Sequence, residues 1–151
     1  MALMRDKRIS QHTNVRIVSN KKLLNRSVLP WSFRKKWCGA QFRMKFTIVY
    51  ASATGHTEDI AERLDQLLPD SELKELDELQ SVHDMENCEA LICCTPTWNT
   101  GSDVKRSGTS WDEHIEAIPT LDCSGKTVAI VGLGDSAAFS KFFCDAMEEL
   151  Y

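Results

Sequence analysis

Beyond Met44 the chain is a succession of short apolar runs and amphipathic stripes. Residues 46–51 (Phe-Thr-Ile-Val-Tyr-Ala) are rich in β-forming residues and predict a buried strand. The next stretch, 57–68, has apolar positions at Ile60, Ala61, Leu64, Leu67 and Leu68, the stripe of an amphipathic helix, and Pro69-Asp70-Ser71 ends it. Residues 72–76 alternate weakly and predict an edge strand. A second buried strand is expected over 90–95, closed by Pro96, followed by a long polar loop over 97–109. Ser110 then caps a predicted helix to about Ile118, with Asp112 and Glu113 favourably placed in its first turn. Residues 127–133 predict a third apolar strand and 137–150 a closing helix. Strands alternating with helices predict an α/β domain built on a doubly wound parallel sheet. Such sheets bind ligands beyond the carboxyl ends of their strands, so chemistry belongs in the loops after the three apolar strands.

Charge divides the chain in two. The first 43 residues carry eleven Lys/Arg and one acid, Asp6; the remainder carries seven Lys/Arg against twenty-one Asp/Glu. The leading segment is Ser-containing and acid-poor and lacks the apolar core of a secretory signal. It is expected to be a disordered basic leader, an organelle transit peptide of plastid or mitochondrial type, which read alike, with a plain basic tail or a true start at Met44 as the alternatives. The acidic remainder repels nucleic acid and anionic membranes and favours basic protein partners. No apolar run has the length that spans a bilayer. The six cysteines show no CxxC pair, three lie in apolar stretches, and they read as buried free thiols rather than metal ligands.

The first loop, Ser52-Ala53-Thr54-Gly55-His56-Thr57, joins a strand to a helix. It combines three hydroxyl side chains, a glycine and the N-terminal amides of that helix. These are the parts of an anion site. With no Lys or Arg among them, the loop suits a single phosphate monoester rather than a nucleotide triphosphate. The second loop sets Trp98 at the mouth of the sheet, a flat face suited to a fused ring, beside Thr97, Asn99, Thr100 and Gly101. The third, Gly132-Leu133-Gly134-Asp135-Ser136-Ala137, formally matches the dinucleotide fingerprint. It follows the last apolar strand rather than the first, however, and Asp135 would set a carboxylate against a pyrophosphate.

Taken in order, the three loops resemble the flavodoxins. Ser52, Thr54, Gly55 and Thr57 fill the fixed positions of that family's FMN-phosphate loop, with Ala53 and His56 at the variable ones. Thr97, Trp98, Asn99, Thr100 and Gly101 match the loop over one flavin face. The segment Leu133-Gly134-Asp135 matches the loop on the other, with Phe139 where the family usually has a stacking Tyr, and Phe142 and Cys144 departing from its usual polar contacts. The extension 106–112 looks like that of long-chain, algal-type members, with Trp111 expected in the core.

The resemblance covers 44–151 and implies a flavodoxin-like sheet of strand order 2-1-3-4. The fifth strand and last helix of the family are expected to be absent from this chain, a C-terminal truncation that would expose a sheet edge. It further implies FMN as cofactor and a low-potential one-electron carrier rather than a substrate-transforming enzyme, with the peptide after Asn99 turning over on reduction. The implied partners are basic-faced redox proteins such as a ferredoxin/flavodoxin-NADP reductase, and photosystem I if the leader directs to plastids. A monomer that neither binds nucleic acid nor inserts in membrane is expected. The alternatives are an FMN-dependent reductase or diflavin-enzyme module, and a non-redox interaction protein of the same fold.

Overall fold

In a computed structural model describing the backbone of Thr13–Ser19 and residues 44–151 in full, the apolar runs are strands of one sheet. The strands are β1 (Thr13–Ser19), β2 (Phe46–Tyr50), β3 (Ser71–Glu75), β4 (Ala90–Thr95) and β5 (Thr127–Asp135), in the order β1-β5-β4-β2-β3. β3, β2, β4 and β5 are parallel, with Phe46 opposite both Ser71 and Ala90, and Ala90 opposite Thr127. Counted from β2, this is the expected order 2-1-3-4.

The central strands are apolar on both sides because both faces are covered. Ile48, Tyr50, Ile92, Cys94, Val131 and Leu133 form one face with Ala61 of α1 (His56–Leu67). The intervening Val49, Leu91 and Cys93 form the other, with Met85 and Trp111. Trp111 is 1% exposed and donates its indole N–H to the Cys94 carbonyl at 3.0 Å, so it belongs to the core as expected. Cys93, Cys94 and Cys144 are buried, while Cys88 and Cys123 are half-buried; Cys38 lies outside the described residues. Burial alone pushes the Cys94 thiol up to about 12, which leaves it protonated and inert.

Three expectations need correction. The helix foreseen from Ser110 to Ile118 is the short α2 (Trp111–His114) followed by a separate 3-10 turn, Ile118–Thr120, and the Ser110 side chain does not cap it. Pro119 has no amide hydrogen and cannot continue an α-helix from the preceding turn. The closing helix over 137–150 is likewise a 3-10 turn, Ser140–Phe142, and then α3 (Met147–Leu150). Cys144 lies between them at φ 58, in the left-handed region, which breaks the α-helical path.

The third correction concerns the leader. Disorder was expected throughout 1–43, yet Thr13–Ser19 forms β1 and pairs antiparallel with β5 from Thr13↔Asp135 to Ser19↔Ala129. The β5 edge that the sequence appeared to leave bare carries a ladder over all seven residues, which satisfies backbone groups that an open edge exposes. The rest of 1–43 lies outside the described residues.

Candidate functional site

The carboxyl ends of β2, β4 and β5 lie side by side, so the loops that leave them meet. Between them is a cavity of about 320 Å³ lined by Ala53, Thr54, His56, Thr57, Pro96, Thr97, Trp98, Thr100, Leu133, Gly134, Asp135 and Phe139. All but Pro96 were singled out from the sequence. Of the remaining candidates, Ser52, Gly55, Asn99, Gly101 and Phe142 are not on the cavity wall. A larger cavity of about 460 Å³ lies on the sheet face opposite α1, lined by residues such as Leu91, Cys93, Trp111 and Ile130, and shares no residue with the three loops.

The first loop is organised by short-range bonds. Ser52 Oγ accepts from the Gly55 amide at 3.0 Å, and Thr54 Oγ1 sits 3.1 Å from His56 Nδ1. Gly55 precedes α1 at φ 86, a conformation that favours glycine, and no side chain caps the helix. The first amides of α1 have no acceptor within the helix and face the loop, which suits an anion. Glu58 and Asp59 in the first turn already place negative charge near that dipole.

The second loop is a wall with supports behind it. Trp98 is 54% exposed, with its ring on the cavity. Beneath it is Gly108 at φ 66, where an added Cβ would lie 2.7 Å from Trp98 Cβ. The Trp98 and Asn99 amides both donate to the Arg106 carbonyl, at 3.1 and 3.0 Å. The Asn99 side chain, expected at the ligand's edge, donates to the Lys105 carbonyl at 2.8 Å and holds the loop together instead. Ser102 N–H closes a turn onto the Asn99 carbonyl at 3.1 Å, with Gly101 inside it at φ 75. Asp112 accepts three bonds, from Ser107 N–H (3.1 Å), Ser107 Oγ (2.7 Å) and Gly108 N–H (2.8 Å).

On the third loop Asp135 Oδ1 accepts from the Ala137 and Ala138 amides at 2.8 and 3.0 Å, so its carboxylate is pinned at the end of β5. Phe139 is 52% exposed and lines the cavity across from Trp98's loop. Phe142 packs behind Gly101 instead, its ring 3.4 Å from where a Cβ on that glycine would lie.

One atom indicates what the cavity accepts. Thr97 lines the cavity, and its buried Oγ1 has no hydrogen-bond partner among the described residues. A buried hydroxyl without a partner is costly, and a polar ligand edge would supply one. The cavity therefore combines the free amides of a helix N-terminus at one end, exposed aromatic rings and an unmet hydroxyl, a set that fits a flat heteroaromatic ring carrying a phosphate.

A parallel sheet with a cleft at its strand ends, between a phosphate-type loop and aromatic walls, defines a ligand-binding protein of the doubly wound α/β class. The family profile described as flavodoxin matches residues 48–151, and the chain belongs to that family. It is 34% identical to a flavodoxin of Buchnera aphidicola over 109 residues, which are 71% of this chain and 61% of that protein. It is 30% identical to flavodoxin 1 of Salmonella typhimurium over 102 residues, 66% of this chain and 55% of that one. Among solved structures it is similar to a Fusobacterium nucleatum flavodoxin bound to flavin mononucleotide. That match has a TM-score of 0.62 and 30% identity, and covers 72% of this chain and 62% of that one. The chain thus spans a little over half the length of the curated relatives it matches.

Proposed function

We propose that this chain holds FMN across the three strand-end loops and passes single electrons at low potential between redox proteins. The observation that carries the reading is the unmet, buried Thr97 hydroxyl on a wall that all three loops share, in a family with a solved FMN-bound member. The amides and hydroxyls of 52–57 hold the phosphate. Trp98 and Phe139 flank the ring and exclude water, and Thr97 bonds its polar edge. The bound flavin supplies the electron chemistry; the residues bind, orient and tune it.

Tuning follows from charge. The segment from Met44 carries twenty-one acids against seven Lys/Arg, and Asp135 is fixed at the cavity. Negative surroundings in a partly dry site disfavour a further negative charge on the ring. The second one-electron midpoint is therefore expected well below that of free FMN. Potentiometry of the FMN-loaded chain tests this, and a second midpoint no lower than free FMN rules it out.

The same charge favours basic-faced partners such as an NADP-linked flavoprotein reductase, with encounter rates that fall steeply as salt rises. A carrier shows no sustained NADPH oxidation by itself; steady turnover by the FMN-loaded chain supports the reductase reading instead. Plastid addressing by the basic segment is part of the same proposal, and it makes one sharp forecast. An address removed near residue 43 takes β1 with it, so sequencing the N-terminus of the mature protein decides between a leader and a retained strand.

A further inference from the structure

A buried carboxylate behind the second loop has no part in the site described so far. Asp145, in the turn that leads into α3, is 7% exposed. Its Oδ2 accepts from the Gly101 amide at 2.9 Å, across 44 residues of chain. Its Oδ1 is buried with no hydrogen-bond partner among the described residues. A carboxylate held by one amide, with its other oxygen unmet, is an unfavourable way to stabilise a fold. Its effect is local: by accepting the Gly101 N–H it fixes the orientation of the Thr100–Gly101 peptide.

The surrounding bonds aim at the same loop. Arg106 N–H donates to Glu149 Oε2 at 2.8 Å, and Arg106 Nη1 donates to the Asp145 carbonyl at 3.2 Å and to Glu148 Oε2 at 3.0 Å. Arg106 Nε donates to the Ser102 carbonyl at 2.7 Å. Arg106 therefore closes the far side of the loop while Asp145 holds its tip. Trp98 and Thr100, both on the cavity wall, come just before Gly101, and the Trp98 amide is tied to the Arg106 carbonyl.

We propose that Asp145 is the positioning residue of the ring-facing loop: it touches no ligand, but through Gly101 it sets where Trp98 and Thr100 stand. The proposal rests on the FMN reading for its binding consequence, and not for its structural one. Its carboxyl group also lies behind the loop, so the Asp145→Asn substitution gives a second, separable readout.

The test uses the full chain as Asp145→Ala, Asp145→Asn and wild type. Without FMN, amide exchange at Gly101 is expected to speed up about tenfold or more in Asp145→Ala, the scale of a lost charged hydrogen bond. Exchange in β2 and β4 is expected to stay unchanged. Asp145→Asn keeps an acceptor oxygen and is expected to restore slow exchange. With FMN, the Ala variant binds about tenfold more weakly on the same scale. The Asn variant binds like wild type but with a raised second one-electron midpoint, because a charge has gone. Unchanged Gly101 exchange in Asp145→Ala, or an Asn variant no better than the Ala variant, overturns the proposal. If Asp145→Ala fails to fold, Asp145→Leu, which fills similar space without an acceptor, takes its place, and unchanged Gly101 exchange there overturns the proposal. If wild type binds no FMN, the FMN reading fails while the exchange comparison still decides the anchor.

Discussion

The two loops that form the ends of the cavity are organised in opposite ways. Bonds inside 52–57 link residues two or three apart, such as Ser52 to Gly55 and Thr54 to His56. The loop from Thr97 to Gly108 is tied to residues far along the chain, with Gly101 on Asp145 and Arg106 on Glu148 and Glu149, and only its end, Ser107 and Gly108, is held locally by Asp112. A strand-to-helix turn needs little more than its own geometry, because the helix terminus supplies the binding groups. A wall that presents a large aromatic ring to solvent has no such frame and must be braced from behind. Substitutions should therefore cost more in the second loop than in the first.

The sharpest way to break that contrast is Gly108→Ala. It combines a backbone at φ 66 with a Cβ placed 2.7 Å from Trp98 Cβ, an atom that no side-chain rotation can move away. Fluorescence titration is expected to show FMN affinity reduced by roughly tenfold to a hundredfold, the left-handed penalty plus the displaced ring. Asp112→Ala comes next, because three donors lose one carboxylate while Trp111 beside it remains packed. Its expected cost is about 1–3 kcal/mol of loop order, read as faster amide exchange over 106–109.

In the first loop, Gly55→Ala meets nothing within 4 Å and carries only its φ of 86. A loss of about 1 kcal/mol in thermal stability is expected, with the cavity intact. Ser52→Ala, which removes one neutral hydrogen bond, has the smallest expected effect, about 0.5 kcal/mol on FMN binding. If Ser52→Ala or Gly55→Ala weakens binding more than Gly108→Ala, the contrast between a self-supporting loop and a braced one is wrong.

The same contrast explains what the sequence made legible. Ser52 to Thr57 is a local pattern, and Trp98 or Asp135 stands out beside the end of its apolar run, so the cavity wall could be foreseen. Pro96 is less legible, because a proline after a strand reads as a terminator before it reads as a lining residue. Asp112 was placed as a helix-dipole partner, when its side chain serves the loop before it. The spacing of Ser107 and Asp112 offered a faint local clue. Asp145 offered none: its partner is 44 residues away, and only the fold brings them together.

The fold showed a similar limit. The four parallel strands follow from apolar runs, but β1 does not, because Thr13–Ser19 has no strict alternation and sits in a basic, polar segment. Its β-branched residues Thr13, Val15, Ile17 and Val18 were the available hint. A strand whose place depends on an unpaired edge elsewhere is specified by the partner's register, which no reading of the segment alone supplies. The over-long helices had the reverse cause. Apolar spacing suggested continuity, while Pro119 and the left-handed Cys144 interrupt it.

The most direct test of the central claim is amide chemical-shift mapping of the isotope-labelled chain during titration with FMN. The account predicts saturable shifts at 52–57, 97–101 and 133–139, with equal midpoints for all three. Absence of saturable shifts, or shifts confined to the larger cavity around Leu91, Trp111 and Ile130, would contradict it.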